Sequence, residues 1–208
     1  MSFKEDFILT KIKNKDVLDI GSGGDLFYLR SRAKISDLLA YKMKSSAKSL
    51  TLVEIDKEAV DKLKNAGFVV YAGDAEKIRI KKKFDVIVLG DVIEHVNNVG
   101  LLLENMKRHL KKDGELIIST PNPFSLNNFF RILTFRKPTV QFDHTAFIEP
   151  TNLLEICRRH HLKIKELYYY TLLDKRTFIL YIKSFIIKLI SVIYRYFNLY
   201  WLAVLEKE

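Results

Sequence analysis

The sequence predicts an α/β fold with an open, doubly wound and mostly parallel sheet. Short apolar runs alternate with helical segments, and several of the runs end at glycine or an acidic residue. Continuous apolar strands of this kind are typical of parallel strands covered by helices on both faces. With 208 residues, 48% of them hydrophobic and 29% charged, the chain is long enough for one such domain with a sizeable core. We expect a single domain over residues 1–208.

The first predicted strand ends in a glycine-rich turn. Residues 17–20 include Asp19 and lead into Gly21, Ser22 and Gly23. The two glycines give the backbone freedom and remove Cβ atoms, so that a ligand can lie against the main chain. The turn after the first strand of a doubly wound sheet is where nucleotide-like ligands bind. A plain tight turn is the alternative for so short a motif.

Four further apolar runs continue the alternation, with helical segments between them. They lie at residues 50–53, 68–71, 84–89 and 114–119. Glu54 ends the second run, where a carboxylate is placed to accept both hydroxyls of a ribose. Asp56, a favourable N-cap residue, opens the following helix. The third run leads into Gly73, Asp74 and Ala75.

Taken in order, these motifs resemble those of the class I S-adenosylmethionine-dependent methyltransferases over roughly residues 15–170. The resemblance implies the Rossmann-like fold of that family and S-adenosylmethionine as the cofactor. By the same resemblance, the glycine turn would hold the methionine end, Glu54 the ribose, and Asp74 with Ala75 the adenine. The residues expected to bind cofactor are Asp19, Gly21, Gly23, Glu54, Asp74, Ala75 and Asp91.

Two features depart from the family pattern. Asp25 stands where many members have a third glycine, and it is a candidate cap for the first helix. Asp19 and Glu54 lie 35 positions apart, longer than the family's usual gap of about 20. The additional residues fall in 26–49, a basic stretch that we interpret as an elongated first helix or an inserted lid. A solvated surface helix is the alternative.

The strongest candidate for catalysis follows the fourth run. On a helical turn Asp91, Glu94 and His95 would project from one face, and His144 follows after a long connection. Two carboxylates and imidazoles suit a divalent cation, which would lower the pKa of an acceptor hydroxyl. The pattern is similar to the motif of ubiquinone-type O-methyltransferases and of terminal 2′-O-methyltransferases of small RNAs. Because metal-free members also carry a Glu-His pair that orders this loop, we expect no metal and name these four residues as the set that would hold one.

Catalysis without a metal requires only positioning, exclusion of water and, for a protonated acceptor, a base. His144 and His95 are the best base candidates because imidazoles titrate near working pH, and we group Glu94 with them as catalytic. The remaining histidines, His109, His160 and His161, are expected to be ordinary solvated residues.

Composition bounds the location and the partners. The net charge is +10, which is consistent with lysine-rich solvated faces or with an anionic nucleic-acid or membrane partner. The N-terminal residues lack the pattern of a signal peptide, and Cys157 is the only cysteine. We therefore expect a cytoplasmic protein. No Asn/Asp-Pro-Pro-aromatic segment follows the fourth strand, which argues against methylation of the exocyclic amines of nucleobases. No nucleic-acid partner is expected.

Two later segments have a predicted role of their own. Residues 121–150 are rich in aromatic and asparagine residues and are expected to form a loop that roofs the substrate. Residues 176–205 predict an amphipathic helix followed by a last strand at 200–205. Lys183, Lys188 and Arg195 interrupt the apolar residues, so this segment is not a membrane span. We favour a helix that covers the sheet, and the rival is an interfacial helix at 176–198 lying peripherally on a membrane.

The function expected from these features is methyl transfer from S-adenosylmethionine to a small-molecule or a lipid- or glycan-linked acceptor, at oxygen. The alternatives are a metal-assisted RNA 2′-O-methyltransferase and a non-catalytic relative that keeps the sheet as a binding module. A homodimer is compatible with either function. The sequence does not identify the acceptor.

Overall fold

The computed structural model describes residues 2–23, 36, 38–138 and 143–208. The strands are β1 (Asp16–Ile20), β2 (Ser49–Glu54), β3 (Val69–Ala72), β4 (Phe84–Gly90), β5 (Leu110–Pro121), β6 (Leu162–Tyr170) and β7 (Tyr200–Lys207). The helices are α1 (Phe3–Lys11), α2 (Leu39–Ser46), α3 (Lys57–Asn65), α4 (Val99–His109), α5 (Leu126–Phe135), α6 (Pro150–Arg159) and α7 (Phe178–Ile193). A short 3₁₀ turn, Arg195–Phe197, joins α7 to the last strand.

The seven strands form one sheet in the order β3-β2-β1-β4-β5-β7-β6. Strand β7 runs antiparallel to both of its neighbours, β5 and β6, and the remaining pairings are parallel. This confirms the predicted doubly wound, mostly parallel α/β fold. Because β1 pairs with both β2 and β4, the strand order reverses beside β1, and a ligand crevice is expected at the carboxyl ends of these strands.

The core occupies both faces of the sheet, as continuous apolar strands predict. Successive residues of β4 alternate between the two faces: Ile87 and Leu89 join one buried cluster, and Val86 and Val88 join the other. Helix α4 covers the first face and helix α1 contributes to the second. The Asp56 side chain caps α3 by accepting a hydrogen bond from the Ala59 amide at 2.8 Å, as the sequence predicted.

Two predicted segments are only partly described. Asp25 and residues 26–35 lie outside the described residues, so the proposed cap and lid are not placed; α2 occupies the end of that stretch. The predicted roof loop at 121–150 contains helix α5, and Phe142 lies outside the described residues. The segment predicted to be a roof loop is therefore helical in its first half.

The C-terminal helix does not cover the sheet with its apolar side, and this prediction was wrong. Most of the large apolar side chains of α7 face solvent, whereas Ser184 and Ser191 are buried. The segment that follows folds back as β7, which lies inside the sheet between β5 and β6. Within the ranges that the structure describes, no helix is long and apolar enough to cross a membrane.

Candidate active site

A cavity of about 600 Å³ opens at the carboxyl ends of β1, β2 and β4. It is lined by Ile20, Gly21, Gly23, Val53, Glu54, Ile55, Asp56, Gly73, Asp74, Ala75, Glu76, Asp91, Val92, His95, Val96, Asn97 and Asp143. Six of the seven residues predicted to bind cofactor are in this wall, and Asp19 is the exception. The cavity lies at the reversal of strand order, where the fold places ligands.

The glycine turn fits closely against the rest of the site. Gly21 has a φ of +72°, and a Cβ there would lie 2.7 Å from a methyl carbon of Val92. A Cβ on Gly23 would lie 2.6 Å from the Cβ of Ala59 and 3.0 Å from a carboxylate oxygen of Glu54. Any larger residue would displace these neighbours, so both glycines are required by close approach.

Glu54 is buried and is bound to three backbone amides. Its Oε2 accepts from the Gly23 amide at 2.7 Å, and its Oε1 accepts from Ile55 at 2.8 Å and Asp56 at 3.0 Å. The carboxylate therefore ties the glycine turn to the end of β2. The sequence predicted a cofactor contact for Glu54, and the geometry gives this residue a structural role.

Asp19 lies beneath the turn and not in the cavity wall. It is buried and accepts a hydrogen bond from the Ser22 hydroxyl at 2.6 Å. Burial raises the pKa of Asp19 to about 7, against the opposing effects of Ser22 and the Lys4 ammonium. In this position Asp19 supports the turn from below.

The segment that carries Asp74 and Ala75 is held from behind by α4. The Asn105 side-chain amide donates to the carbonyls of Ala75 at 2.8 Å and Ile78 at 3.0 Å. His109 is buried, accepts from the Ile80 amide at 3.0 Å through Nε2, and contacts the Asn105 carbonyl at 2.8 Å through Nδ1. The expectation that His109 is a solvated residue was wrong, because it completes the hydrogen bonds of a buried connection.

Asp91 begins the segment after β4 in a left-handed conformation with φ of +58°. Its carboxylate pairs with the Lys4 ammonium at 2.6 Å and accepts from the Ser119 hydroxyl at 3.0 Å. The predicted helical turn that aligns Asp91 with Glu94 and His95 does not form, since the turn begins only at Val92. Asp91 remains in the cavity wall but is separate from the histidine group.

Glu94, His95 and His144 do come together. One ligand atom from each of the three side chains lies within 4.8 Å of the others. Thr145 makes this contact possible, because its amide donates to the Glu94 carbonyl at 2.8 Å and its hydroxyl donates to the Val96 carbonyl at 2.6 Å. Three of the four residues named for a metal from the sequence are thus adjacent.

The Glu94 carboxylate is buried with little compensation. Among the residues that the structure describes, neither of its oxygens has a hydrogen-bond partner. Burial, reinforced by the nearby Asp91, raises the pKa of Glu94 to about 7. Its own backbone amide and the Thr120 hydroxyl, which lie close but without good hydrogen-bond geometry, oppose the shift together with Lys4. A buried carboxylate beside two imidazoles can be neutralised by binding a proton or by holding a cation together with the imidazoles.

The two histidines face each other edge to face, with ring centroids 4.7 Å apart. His95 Nδ1 lies 3.3 Å from both the backbone carbonyl and a carboxylate oxygen of Asp143. Burial lowers the pKa of His144, and the neighbouring His95 lowers it further. His144 is therefore neutral near pH 7 and able to accept a proton.

A second, smaller cavity of about 30 Å³ lies against the same cluster. Glu94 and His144 line it together with Asn122, which follows β5, and Asn128 in the first turn of α5. His95 lines the larger cavity and His144 the smaller. The cluster therefore borders both spaces.

Sequence patterns missed several residues that build this site. Lys4, Ser119, Asn105 and Thr145 each hold a site residue through a long-range contact. None belongs to a local motif, and only the adjacency of Thr145 to His144 could have suggested a role.

Sequence comparisons identify methyltransferases as relatives of this chain. A family model described as a methyltransferase domain matches residues 2–167. A ubiquinone biosynthesis O-methyltransferase of Pelagibacter ubique is 28% identical over 165 residues, covering 75% of this chain and 65% of that protein. The protein of the same name from Rickettsia prowazekii is 27% identical over 176 residues, covering 78% and 67%. The chain spans about two thirds of the length of these curated relatives.

Solved structures share the fold at low sequence identity. The magnesium protoporphyrin IX methyltransferase of Synechocystis with bound SAH aligns with a TM-score of 0.65 at 11% identity, covering 99% of this chain and 82% of that one. A SAM-dependent methyltransferase from Archaeoglobus fulgidus gives a TM-score of 0.65 at 17% identity, covering 98% and 91%.

Proposed function

This chain belongs to the S-adenosylmethionine-dependent methyltransferases, and from that premise we propose that it methylates an oxygen atom of a small-molecule or lipid-linked acceptor. The observation that carries the proposal is the Glu94, His95 and His144 cluster at the border of the two cavities. The names of the curated relatives, ubiquinone biosynthesis O-methyltransferases, support oxygen as the acceptor atom.

The larger cavity is the proposed cofactor site. The glycine turn leaves its backbone accessible to the methionine end, and Asp74 with Ala75 would face the adenine. Glu54 already accepts three amide hydrogens, one of them on Oε2. Because a carboxylate has about four acceptor positions, its free position is on Oε2, and Glu54 would accept one ribose hydroxyl.

The smaller cavity is the proposed entry of the acceptor to the reaction centre. An acceptor hydroxyl there would attack the sulfonium methyl group in line, forming the oxygen–carbon bond as the carbon–sulfur bond breaks and its electron pair stays on sulfur. His144 would take the hydroxyl proton, since burial keeps its imidazole neutral. The carboxylates of Glu94 and Asp143 would stabilise the resulting imidazolium charge, whereas the neighbouring His95 opposes it.

A metal-assisted variant of this reaction is the second candidate, and one observation favours it. Both oxygens of Glu94 are buried without a donor in the described part of the chain, and a carboxylate with two imidazoles suits zinc or a similar divalent ion. Glu94, His95 and His144 would hold the ion. Once bound, such an ion supplies Lewis acidity that lowers the pKa of a hydroxyl.

Turnover assays test the proposal. The purified chain is incubated with S-adenosylmethionine and phenolic acceptors with and without an apolar tail, and the methyl ether is detected by mass spectrometry. We expect product that is lost in His144→Ala, with cofactor affinity by calorimetry unchanged. Loss of activity in chelator, restored by a divalent ion, would support the metal-assisted variant.

The remaining alternatives have distinct outcomes in the same assay. A binding module without catalytic activity would give no product with any acceptor and no saturable heat with the cofactor. An RNA 2′-O-methyltransferase would methylate a short RNA in preference to the phenols. Either result would contradict the proposed acceptor class.

A further inference from the structure

Helices α5 and α7 are oriented with their apolar sides toward solvent. In α5 the buried residues are Leu126 and Asn128, and in α7 they are Ser184, Ile187 and Ser191. An amphipathic helix of a globular protein normally buries its apolar stripe. The exposed apolar residues of the two helices are Phe129, Phe130, Ile132, Leu133, Phe135, Phe178, Ile179, Ile182, Phe185, Ile186, Leu189, Val192 and Ile193.

The exposed stripe of α7 is continuous. Ile179, Ile186 and Ile193 recur every seven residues and so lie on one line along the helix; Ile179 is 78% exposed and Ile193 77%. Lys183 lies at one border of the stripe and Lys188 at the other, on a helical projection of about 100° per residue. A helix of this kind, apolar on one side and flanked by lysines, lies in the interface of a membrane.

Helix α5 extends the same surface. The Lys183 ammonium donates to the Asn127 side chain at 2.5 Å, and the rings of Phe129 and Phe197 stack at 6.4 Å. These contacts join α5 to the α7 segment. The apolar side chains of both helices therefore form one face, which we call the α5–α7 face.

The charges around this face have one sign. Residues 123–138 and 175–198 contain no acidic residue. They contain the cations Arg131, Arg136, Lys137, Lys175, Arg176, Lys183, Lys188 and Arg195. Asp174, just outside, pairs with Arg176 at 2.6 Å. Arg131 is partly buried. The remaining cations are exposed and available to an anionic surface: Arg136, Lys137, Lys175, Lys183, Lys188 and Arg195.

We propose that the α5–α7 face docks on an anionic lipid bilayer, with the apolar stripes in the acyl boundary and the cations at the phosphate headgroups. Exposed apolar area of this extent calls for an occupant, and the charges select a lipid one. A second copy of the chain would use the same face in a two-fold contact and would bring the cations of both copies together. An anionic bilayer neutralises them, with each basic residue near the surface strengthening binding.

The face also adjoins the proposed acceptor entry. Asn122 and Asn128, at the foot of α5, line the smaller cavity with Glu94 and His144. Docking would place this cavity beside the bilayer, where a lipid-linked acceptor resides. The docking itself goes beyond the proposed function and does not depend on methyl transfer.

Vesicle co-sedimentation of the full chain, without cofactor or acceptor, tests the docking. We expect binding to phosphatidylcholine vesicles that contain phosphatidylglycerol, weaker binding to pure phosphatidylcholine, and loss of binding with added salt. Ile179→Glu with Ile193→Glu should abolish binding. Lys183→Glu with Lys188→Glu should weaken it at least about tenfold, because each basic residue contributes about fivefold.

Matched substitutions at the other edge of the sheet serve as controls. Val69→Glu on β3 and Lys62→Glu with Lys64→Glu on α3 also change exposed residues, and should leave binding unchanged. Thermal melts establish that each variant is folded. Absence of binding to the anionic vesicles, or equal binding by the face variants and the controls, would overturn the proposal. A dimer that Ile179→Glu dissociates, in a protein that does not bind vesicles, would assign the face to a second copy.

Discussion

Glu54 and Glu94 are both buried glutamates beside the carboxyl ends of β2 and β4, the two strands that flank β1, yet their surroundings differ. Glu54 accepts three backbone amides within 3.0 Å. Glu94 has no hydrogen bond of good geometry from the described residues, and only Thr120 and its own amide lie close enough to oppose its protonation. Each has been taken out of water, which is costly for a carboxylate without hydrogen bonds. Only Glu54 is compensated by the fold.

The difference separates two kinds of site residue. A carboxylate bound to the backbone contributes to stability and to ligand binding together, because the same oxygens hold the turn and face the cavity. A carboxylate without donors is held in place by its neighbours and remains available to a proton, a cation or a substrate. We therefore expect substitutions of Glu54 to change stability and affinity in parallel, and substitutions of Glu94 to change turnover alone.

The largest effect is expected for Glu94→Gln. The amide keeps the size of the side chain but carries no charge to stabilise the His144 imidazolium or to hold a cation, so kcat should fall about 100-fold or more, the range for loss of an electrostatic contact to developing charge. The melting temperature should not fall, because a neutral amide is less costly to bury than an unpaired carboxylate. Steady-state kinetics and thermal melts measure the two effects.

Asp61→Asn, an exposed change on α3, is the control for Glu94→Gln. It should alter neither kcat nor melting temperature. A Glu94→Gln protein that melts several degrees lower with normal turnover would remove the distinction between the two glutamates.

Glu54→Ala is expected to lower stability and cofactor affinity together. The substitution leaves three amides without an acceptor, each costing about 1–3 kcal/mol where water does not replace it. For a chain of this size we expect the melting temperature to fall by about 5 °C or more. Calorimetry should give at least about tenfold weaker cofactor binding, since a hydrogen bond to a charged group contributes about 1.5–3 kcal/mol. Weaker cofactor binding with an unchanged melting temperature would show that Glu54 binds the ligand and does not stabilise the fold.

The sequence predicts the Glu54 side of the site better than the Glu94 side, for a physical reason. The glycine turn and Glu54 belong to contiguous strand–turn motifs, whose positions follow from the apolar runs before them. Asp91 pairs instead with Lys4, which is 87 positions away and in no motif. Periodicity along a chain carries no information about such contacts.

The hydrophobic pattern of α7 likewise does not predict which side of the helix faces the protein. The sequence identifies the two sides of the helix correctly, and the usual rule buries the apolar one. In the structure the hydroxyl of Ser184 accepts from the Asp174 amide at 2.9 Å and donates to the Tyr181 carbonyl, so this buried serine is satisfied inside. The Ser191 hydroxyl is also buried and has no partner among the described residues. Which side faces inward is decided by these partners and not by periodicity.

Thr145→Val should give a moderate effect that is confined to the Glu94 side. The change keeps the shape of the side chain but removes the hydroxyl that bonds to the Val96 carbonyl at 2.6 Å and the Glu94 carbonyl at 3.1 Å. His144 would then be held less closely against Glu94, and small misplacements of reacting groups can lower rates by up to about 100-fold. We expect kcat to fall about tenfold with cofactor affinity unchanged. A parallel loss of affinity would indicate that the two sides of the site are not independent.

Asp19→Asn should give the smallest effect, visible in the pH dependence of stability. Asp19 accepts one described side-chain hydrogen bond, from Ser22, and is therefore less well compensated than Glu54 but better than Glu94. Burial raises its pKa from 3.8 to about 7 in the folded protein. Between these values the native state keeps a proton that the unfolded chain has released, so stability falls as pH rises through this window. Asparagine carries no titrating proton and still accepts from Ser22, so urea unfolding at several pH values should show a flatter decline than wild type. If the free energy of unfolding falls with pH as steeply in Asp19→Asn as in wild type, Asp19 is ionised in the folded protein. Its buried charge would then be stabilised about as well as that of Glu54.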